Sequence, residues 1–511
     1  MCYAFCMQEY QQKIGALIAR IRGQKGLTQK ELAKKLGTSQ SAINRIEAGK
    51  QNVTLEMLAR ISDVLDKELI SVSNNSVNLK IEGGHTLHGA IDVKVSKNAT
   101  VGLLCATLLN RGTTTLKKVP KIEEVYRLIE VLESIGVKVN WLENGDVEIK
   151  PPKTLLLSKM NVKAAKRTRS VIMYFGALMH RYDSFRLPYA GGCKLGKRTV
   201  SPHLYALEEF GVAVETKNNY YQATVKKKSP GDVTLYEMGE TVSENVLMAA
   251  ALTDGVTTLR NISSNYMVQD MCFFLETCGV RIDGIGSNTL VVHGVKEIDS
   301  DITYAPSEDP IEAMSFLSAA ITTNSEVTVR RCPIDFLRVE LLRLQKMGCK
   351  LTLSEPYLAQ NNATALVDIT THTYASLKAP EDKIHALTHP GINMDNLLFF
   401  APIVARAKGT TLIHDWSYED RAIYLTELRK LGVDVKLADP HRVYITGPSK
   451  FEPADINSPA ALRPAVIILI SMLAAPGTSI LRNIYSIARG YEDFAERLNG
   501  LGAKITVIRD I

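Results

Sequence analysis

Cys193 lies in "PYAGGCKLGKR", residues 188–198, among three glycines and three cations. Positive charge from Lys194, Lys197 and Arg198 lowers the cost of a thiolate there. As the thiolate the group can attack carbon, as the thiol it can give its proton to carbon, and flexible glycines let a loop close over the reacting molecule. The stretch also nearly spells a phosphate-binding P-loop, with Gly191 followed by Gly196-Lys197. That reading fails because Arg198 stands where Ser or Thr must meet magnesium, and Pro202 interrupts the helix that should follow. Cys105, Cys272, Cys278 and Cys349 fall within or beside apolar stretches and read as core thiols.

The elements that must position such a loop can draw on 511 residues, enough for about three domains. With 45% hydrophobic and 23% charged residues, the chain reads as globular and soluble, with no apolar run long enough to span a bilayer. Eight scattered cysteines without paired metal-ligand spacing, and an opening segment unlike a secretory signal, predict a cytoplasmic protein with reduced thiols. The net charge of +7 is uneven: residues 1–72 carry 11 Lys and Arg against 7 Asp and Glu. That surplus points to an anionic partner for the first segment.

Within it, "GLTQKELAKKLGTSQSAINRIEAGK" has the spacing of two short helices around a turn at Gly37, capped by Thr28 and Ser39. Leu32, Ala33 and Leu36 share one apolar face, and Ile43 and Ile46 the next. The pattern closely resembles the helix-turn-helix of the Cro and C1 repressor family. The resemblance implies DNA binding by residues 1–73, with Gln40, Ser41 and Asn44 at base edges and Gln29 and Arg45 at phosphates. It also implies a homodimer on a two-fold site.

After residue 76 the chain repeats one unit six times. The junctions "LESIGVKVN", "LEEFGVAVE", "LETCGVRID", "LQKMGCKLT", "LRKLGVDVK" and "LNGLGAKIT" each place a glycine between helix and strand. Glycine suits that point because it enters the left-handed region without a Cβ clash. Helices such as "ENVLMAAAL" and "AVIILISMLAA" are apolar all round and must be buried. Six such units resemble the enolpyruvyl transferase family, and within it the UDP-N-acetylglucosamine 1-carboxyvinyltransferases. The implied fold is α/β: a two-globe inside-out α/β barrel of six units, behind the small all-α helix-turn-helix domain. Units 1–3 would occupy residues 97–303, and units 4–6 residues 304–511 together with 74–96.

The resemblance implies transfer of the enolpyruvyl group of phosphoenolpyruvate to the 3′-hydroxyl of UDP-N-acetylglucosamine, without metal or cofactor. "SKNA" assigns Lys97 to phosphoenolpyruvate and Asn98 to the sugar nucleotide. "KRTRSVIMYFG" assigns Arg169 to the diphosphate, with Met173 where the family has an aromatic residue. Cys193 becomes the catalytic thiol and Arg198 a phosphate clamp. Thr199, Val200 and Ser201 fall on the nucleotide side, Thr199 and Ser201 replacing a proline and an aspartate. "PGINMDNLLFF" supplies Asp395 as general base, after added residues following Pro390. "SYEDRAIY", "AALRPAV" and "IARGYEDF" supply Arg421, Arg463 and Arg489, whose guanidinium forks suit the phosphate and carboxylate of phosphoenolpyruvate. Ala461 stands where the family has an aspartate. Transfer to another acceptor, and a regulator that senses cell-wall precursors without turnover, both stay open.

Overall fold

The computed structural model describes residues 14–16, 18–23, 25–51, 53–65, 77–189 and 199–509. The chain divides at Asn75/Ser76 into two compact units, each with its own core.

In the first unit, α1 (Gln29–Leu36), α2 (Gln40–Glu47) and α3 (Leu55–Leu65) pack around Ile18, Leu32, Leu36, Ile43, Ile46 and Ile61. Thr28 and Glu31 form a reciprocal capping box on α1, and Gly37 ends it at φ 65°. Ser39 caps α2 by accepting from the Ala42 amide. Arg22 donates to both carboxylate oxygens of Glu47, at 2.6 and 2.9 Å, tying the preceding helical segment to α2. The cap positions and apolar faces anticipated from spacing are those observed.

The second unit carries six small sheets of three to five strands. The three sheets built between Thr114 and Tyr304 take strands from no other segment; the first pairs β4 (Ile302–Tyr304) in parallel with β3 (Thr114–Leu116). The other three use strands from 326–509 plus two from the start of the unit. There β1 (Val77–Gly83) lies between 477–482 and 504–509, and β2 (His88–Asp92) pairs with β5 (Glu326–Pro333). Among the described residues no ladder joins one sheet to the next, so the expected barrel is not closed by hydrogen bonds; each sheet is open. The chain passes between the two sets of sheets twice, and the two passages run antiparallel. Ser96 N donates to Ser307 O at 2.7 Å and Asp309 N to Lys94 O at 2.9 Å.

The helices lie inside. Every residue of α8 (Pro310–Thr322) is buried, as are Arg463–Leu473 of α9 (Leu462–Ala474). Residues 242–251 of α6 (Glu240–Ala251) and 99–106 of α4 (Lys97–Ala106) are also buried. Strands of the sheets alternate buried with less buried positions, as in 220–225 and 442–445. The six junction glycines, Gly136, Gly211, Gly279, Gly348, Gly432 and Gly502, have φ between 77° and 97°. A side chain is disfavoured at each.

Candidate functional site

A cavity of about 460 Å³ is lined from both sets of sheets. Lys97, Asn98, Arg169 and Met173 reach it from the 97–304 segment, and Asp395, Tyr418 and Arg489 from the later half. Ser96 caps α4 with its hydroxyl on the Ala99 amide, which presents Lys97 and Asn98 at the first turn, where the helix dipole adds positive potential. Lys97 Nζ pairs with Glu124 at 3.1 Å, and Asn98 Nδ2 donates to Tyr266 OH at 3.0 Å. Lys97 holds the Glu124 carboxyl below its ordinary range against the opposing effect of burial, with the Lys97 hydrogen bond and Arg489 adding to the effect.

Asp395 is the hub of the later wall. Its amide donates to Asn393 Oδ1 at 2.8 Å, fixing the turn, and its carboxylate accepts from Arg421 Nη1 at 3.2 Å and Arg463 Nη2 at 3.1 Å. Burial pushes this carboxyl up, but Arg463, Arg421 and Lys97 outweigh it and hold the group below its usual value. Side-chain exposure is 21% for Asp395 against 2% for Arg421 and 6% for Arg463, so the carboxylate is the part of this cluster a ligand reaches.

Arg421 and Arg463, expected to grip phosphoenolpyruvate, do not line the cavity in this arrangement. Arg421 forks onto Asp415, with Nε at 2.5 Å from Oδ2 and Nη2 at 3.0 Å from Oδ1; it also donates to Met394 O and stacks 4.0 Å over the Tyr418 ring. Arg463 Nη1 donates to Tyr491 OH at 3.0 Å. Both arginines are therefore spent on positioning Asp395.

Arg169 Nη2 donates to Thr199 O at 3.0 Å, and Thr199 Oγ1 lies 2.8 Å from Ser201 Oγ at the start of α5 (Ser201–Glu208). Thr199, Val200 and Ser201 thus adjoin Arg169 without lining the cavity. Met173 lines it and is 1% exposed, so it offers an apolar floor where the family's aromatic was expected. Cys193 and Arg198 lie outside the described residues. The described thiols behave as core: Cys105, Cys272, Cys332 and Cys349 are buried, and burial pushes Cys278 and Cys349 up to about 12. Ala461 leaves α9 with no side-chain cap.

Spacing did not single out Glu124, Arg127, Lys166, Arg167, Glu240, Glu244 or Tyr418, all of which line the cavity. "KRTRS" did hold the signal for Lys166 and Arg167, although Arg167 pairs with Glu123 at 3.2 Å. Among the described residues no cluster of three or more His, Cys, Asp or Glu is placed to hold a metal ion, and no helix is long and apolar enough to cross a membrane.

On the helix-turn-helix, Gln40, Ser41, Asn44 and Arg45 are exposed on one face of α2. Gln29, expected at a phosphate, donates to Glu47 Oε2 at 2.8 Å, and Arg45 Nε donates to Gln51 Oε1 at 3.1 Å.

The profile of the family EPSP synthase (3-phosphoshikimate 1-carboxyvinyltransferase) matches residues 81–498, and a helix-turn-helix profile matches residues 18–71. UDP-N-acetylglucosamine 1-carboxyvinyltransferases of Bradyrhizobium diazoefficiens and Treponema denticola are each 31% identical over 83% of this chain, covering 96% and 98% of those proteins. The enolpyruvyl transferase NikO of Streptomyces tendae superposes with a TM-score of 0.73 at 23% identity, covering 86% of this chain and all of that one. EPSP synthase of Acinetobacter baumannii gives 0.67 at 18% identity, with 84% and 100% covered. Six sheets, two walls and these matches agree: the chain belongs to the enolpyruvyl transferase family, alongside the UDP-N-acetylglucosamine 1-carboxyvinyltransferases, with a helix-turn-helix domain in front.

Proposed function

We propose that the second unit transfers the enolpyruvyl group of phosphoenolpyruvate to the 3′-hydroxyl of UDP-N-acetylglucosamine, releasing phosphate, and that the first unit binds DNA as part of a homodimer. The observation that carries the reaction is an arginine-held carboxylate, Asp395, on a cavity whose other wall presents Lys97. In this reading residues 97–303 form one globe, and 74–96 with 304–511 the other.

In the first step a proton moves to the methylene carbon of phosphoenolpyruvate, and the sugar oxygen bonds to its C2. Cys193 supplies that proton, and Asp395 takes the hydroxyl proton. The resulting phospholactoyl adduct then returns a proton from its methyl carbon to the Cys193 thiolate and expels phosphate, leaving the enol ether. Lys97, Arg489 and Arg198 offset the charge of phosphate and carboxylate. Arg421 and Arg463 set the Asp395 carboxylate, and Arg463 turns to the substrate carboxylate as that anion enters.

The test is phosphate release from phosphoenolpyruvate and UDP-N-acetylglucosamine by the full chain and by Cys193→Ser. We expect turnover that the substitution abolishes. Tight binding of the sugar nucleotide without turnover in the unaltered chain would instead establish a precursor-sensing regulator, a role that tolerates Ala461 and Met173. Turnover only with a different hydroxyl acceptor would reassign the substrate.

A further inference from the structure

Glu244 is the one carboxyl on the described cavity wall that has been given no role and shows no ion-pair or hydrogen-bond partner. It lies on α6, is 1% exposed, and lines the cavity with Asn98, Arg169, Met173 and Thr241. Its Oε1 is buried without a hydrogen-bond partner. Glu123, Glu124, Glu240 and Asp395, the other acids on this wall, each have a basic or amide partner. Across from it stands Gly102 of α4, where an added Cβ would meet Oε1 at 2.2 Å. A glycine at that point leaves the carboxyl room to lie where it does.

A buried carboxyl with an unmade hydrogen bond costs stability unless something satisfies it. Burial, with Glu240 and Asp270 adding, pushes Glu244 well above the ordinary carboxyl range, which favours the neutral acid. A neutral acid donates a hydrogen bond and spares an anionic ligand the repulsion a carboxylate would impose. The anionic ends of a substrate have Lys97, Arg169 and Arg489 to meet them. The lining that Glu244 shares includes the neutral side chains of Asn98, Thr241 and Met173, the last on the Ser170–Met173 turn that contacts both α4 and α6. Neutral groups of this kind suit an uncharged ring.

We propose that Glu244 donates a hydrogen bond to an uncharged oxygen, hydroxyl or amide carbonyl, of the acceptor sugar, and so selects the sugar part of the sugar nucleotide. This rests on reading the cavity as the acceptor site. Binding of UDP-N-acetylglucosamine and of UDP to the full chain, by titration calorimetry, tests it together with kcat and KM for phosphate release. For Glu244→Ala we expect at least a tenfold weaker Kd for UDP-N-acetylglucosamine, a Kd for UDP within twofold of the parent, and a KM for phosphoenolpyruvate likewise unchanged. Glu244→Gln, which keeps a donor, restores the sugar nucleotide to within threefold. Gly102→Ala, which displaces the carboxyl, behaves as Glu244→Ala. Melting curves verify folding, and Glu244→Ala should melt no lower than the parent because it removes an unsatisfied buried oxygen. Equal loss of UDP and sugar nucleotide, or no loss of either, overturns the assignment. An unaltered chain that binds the sugar nucleotide but releases no phosphate defeats the catalytic reading alone, and the binding series still decides Glu244. An unaltered chain that binds no UDP-N-acetylglucosamine overturns both.

Discussion

Asp395 and its two arginines form a unit in which each member is set by the others. Asp395→Asn removes the proton acceptor, and the proposed reaction should slow by about 10² to 10⁴ in kcat, read as phosphate release, with sugar-nucleotide binding nearly intact. An effect confined to KM would exclude the base role. Arg421→Met leaves Asp415, which is 0% exposed, without its fork. Stranding a buried charge costs about 3–5 kcal/mol, so the midpoint of denaturant unfolding should fall sharply. A midpoint shift equal to that of an exposed arginine, such as Arg338→Met, would show that the pair is worth little. The contrast between these two variants separates chemistry from support.

At the scale of elements, the α5–α6 contact contains a buried imidazole whose ring is fully engaged. Asn245 Nδ2 lies 3.1 Å from His203 Nδ1, and His203 Nε2 lies 3.3 Å from Thr241 Oγ1. An amide nitrogen can only donate, so Nδ1 accepts and the proton resides on Nε2. Burial, with Arg169 adding, pushes His203 down to about 3, and burial pushes His180 to about 3 as well. With folded values below the unfolded one, the unfolded chain binds more protons once pH drops below the ordinary histidine range. Stability is therefore complete above that range and falls as pH drops from about 6.5 toward 3. At pH 5 the loss is about 2 kcal/mol for each ring. Urea unfolding at pH 7.5 and 5 checks this, since His203→Gln should flatten the pH dependence; an unchanged slope would contradict it. In the small unit, Thr28→Ala removes the hydroxyl half of the capping box while the backbone amide at that position still reaches Glu31, and about 1 kcal/mol of that unit's stability should go with it.

The described residues form two hydrophobic cores, one built on Ile18, Leu32 and Ile61 and the other spread between Leu79 and Ile505. Separate cores imply separate cooperative transitions, so calorimetry should resolve two. UDP-N-acetylglucosamine at a hundred times its Kd should stabilise the larger unit by about 2.7 kcal/mol and leave the smaller transition where it was. Movement of both transitions would mean that the two units are energetically linked. The two antiparallel passages at Lys94–Ser96 and Ser307–Asp309 are the covalent links between the sets of sheets.

Local pattern alone determined the caps at Thr28 and Ser39, the left-handed glycines at the six junctions, and the all-apolar helices that had to be interior. Each depends on a residue and its near neighbours in the chain: a hydroxyl beside free amides, a missing Cβ, an uninterrupted apolar run. The family resemblance, not local pattern, assigned Lys97, Asn98, Arg169, Asp395 and Arg489 to the site, and the fold brings these five to one cavity. What tertiary structure decided is how their charges are shared. Whether Arg421 meets a ligand or Asp415, and whether Glu244 is charged or neutral, depends on distances between segments far apart in the chain and on the water those segments exclude. Coulombic and desolvation energies follow from that separation and burial, and neither quantity is written in spacing.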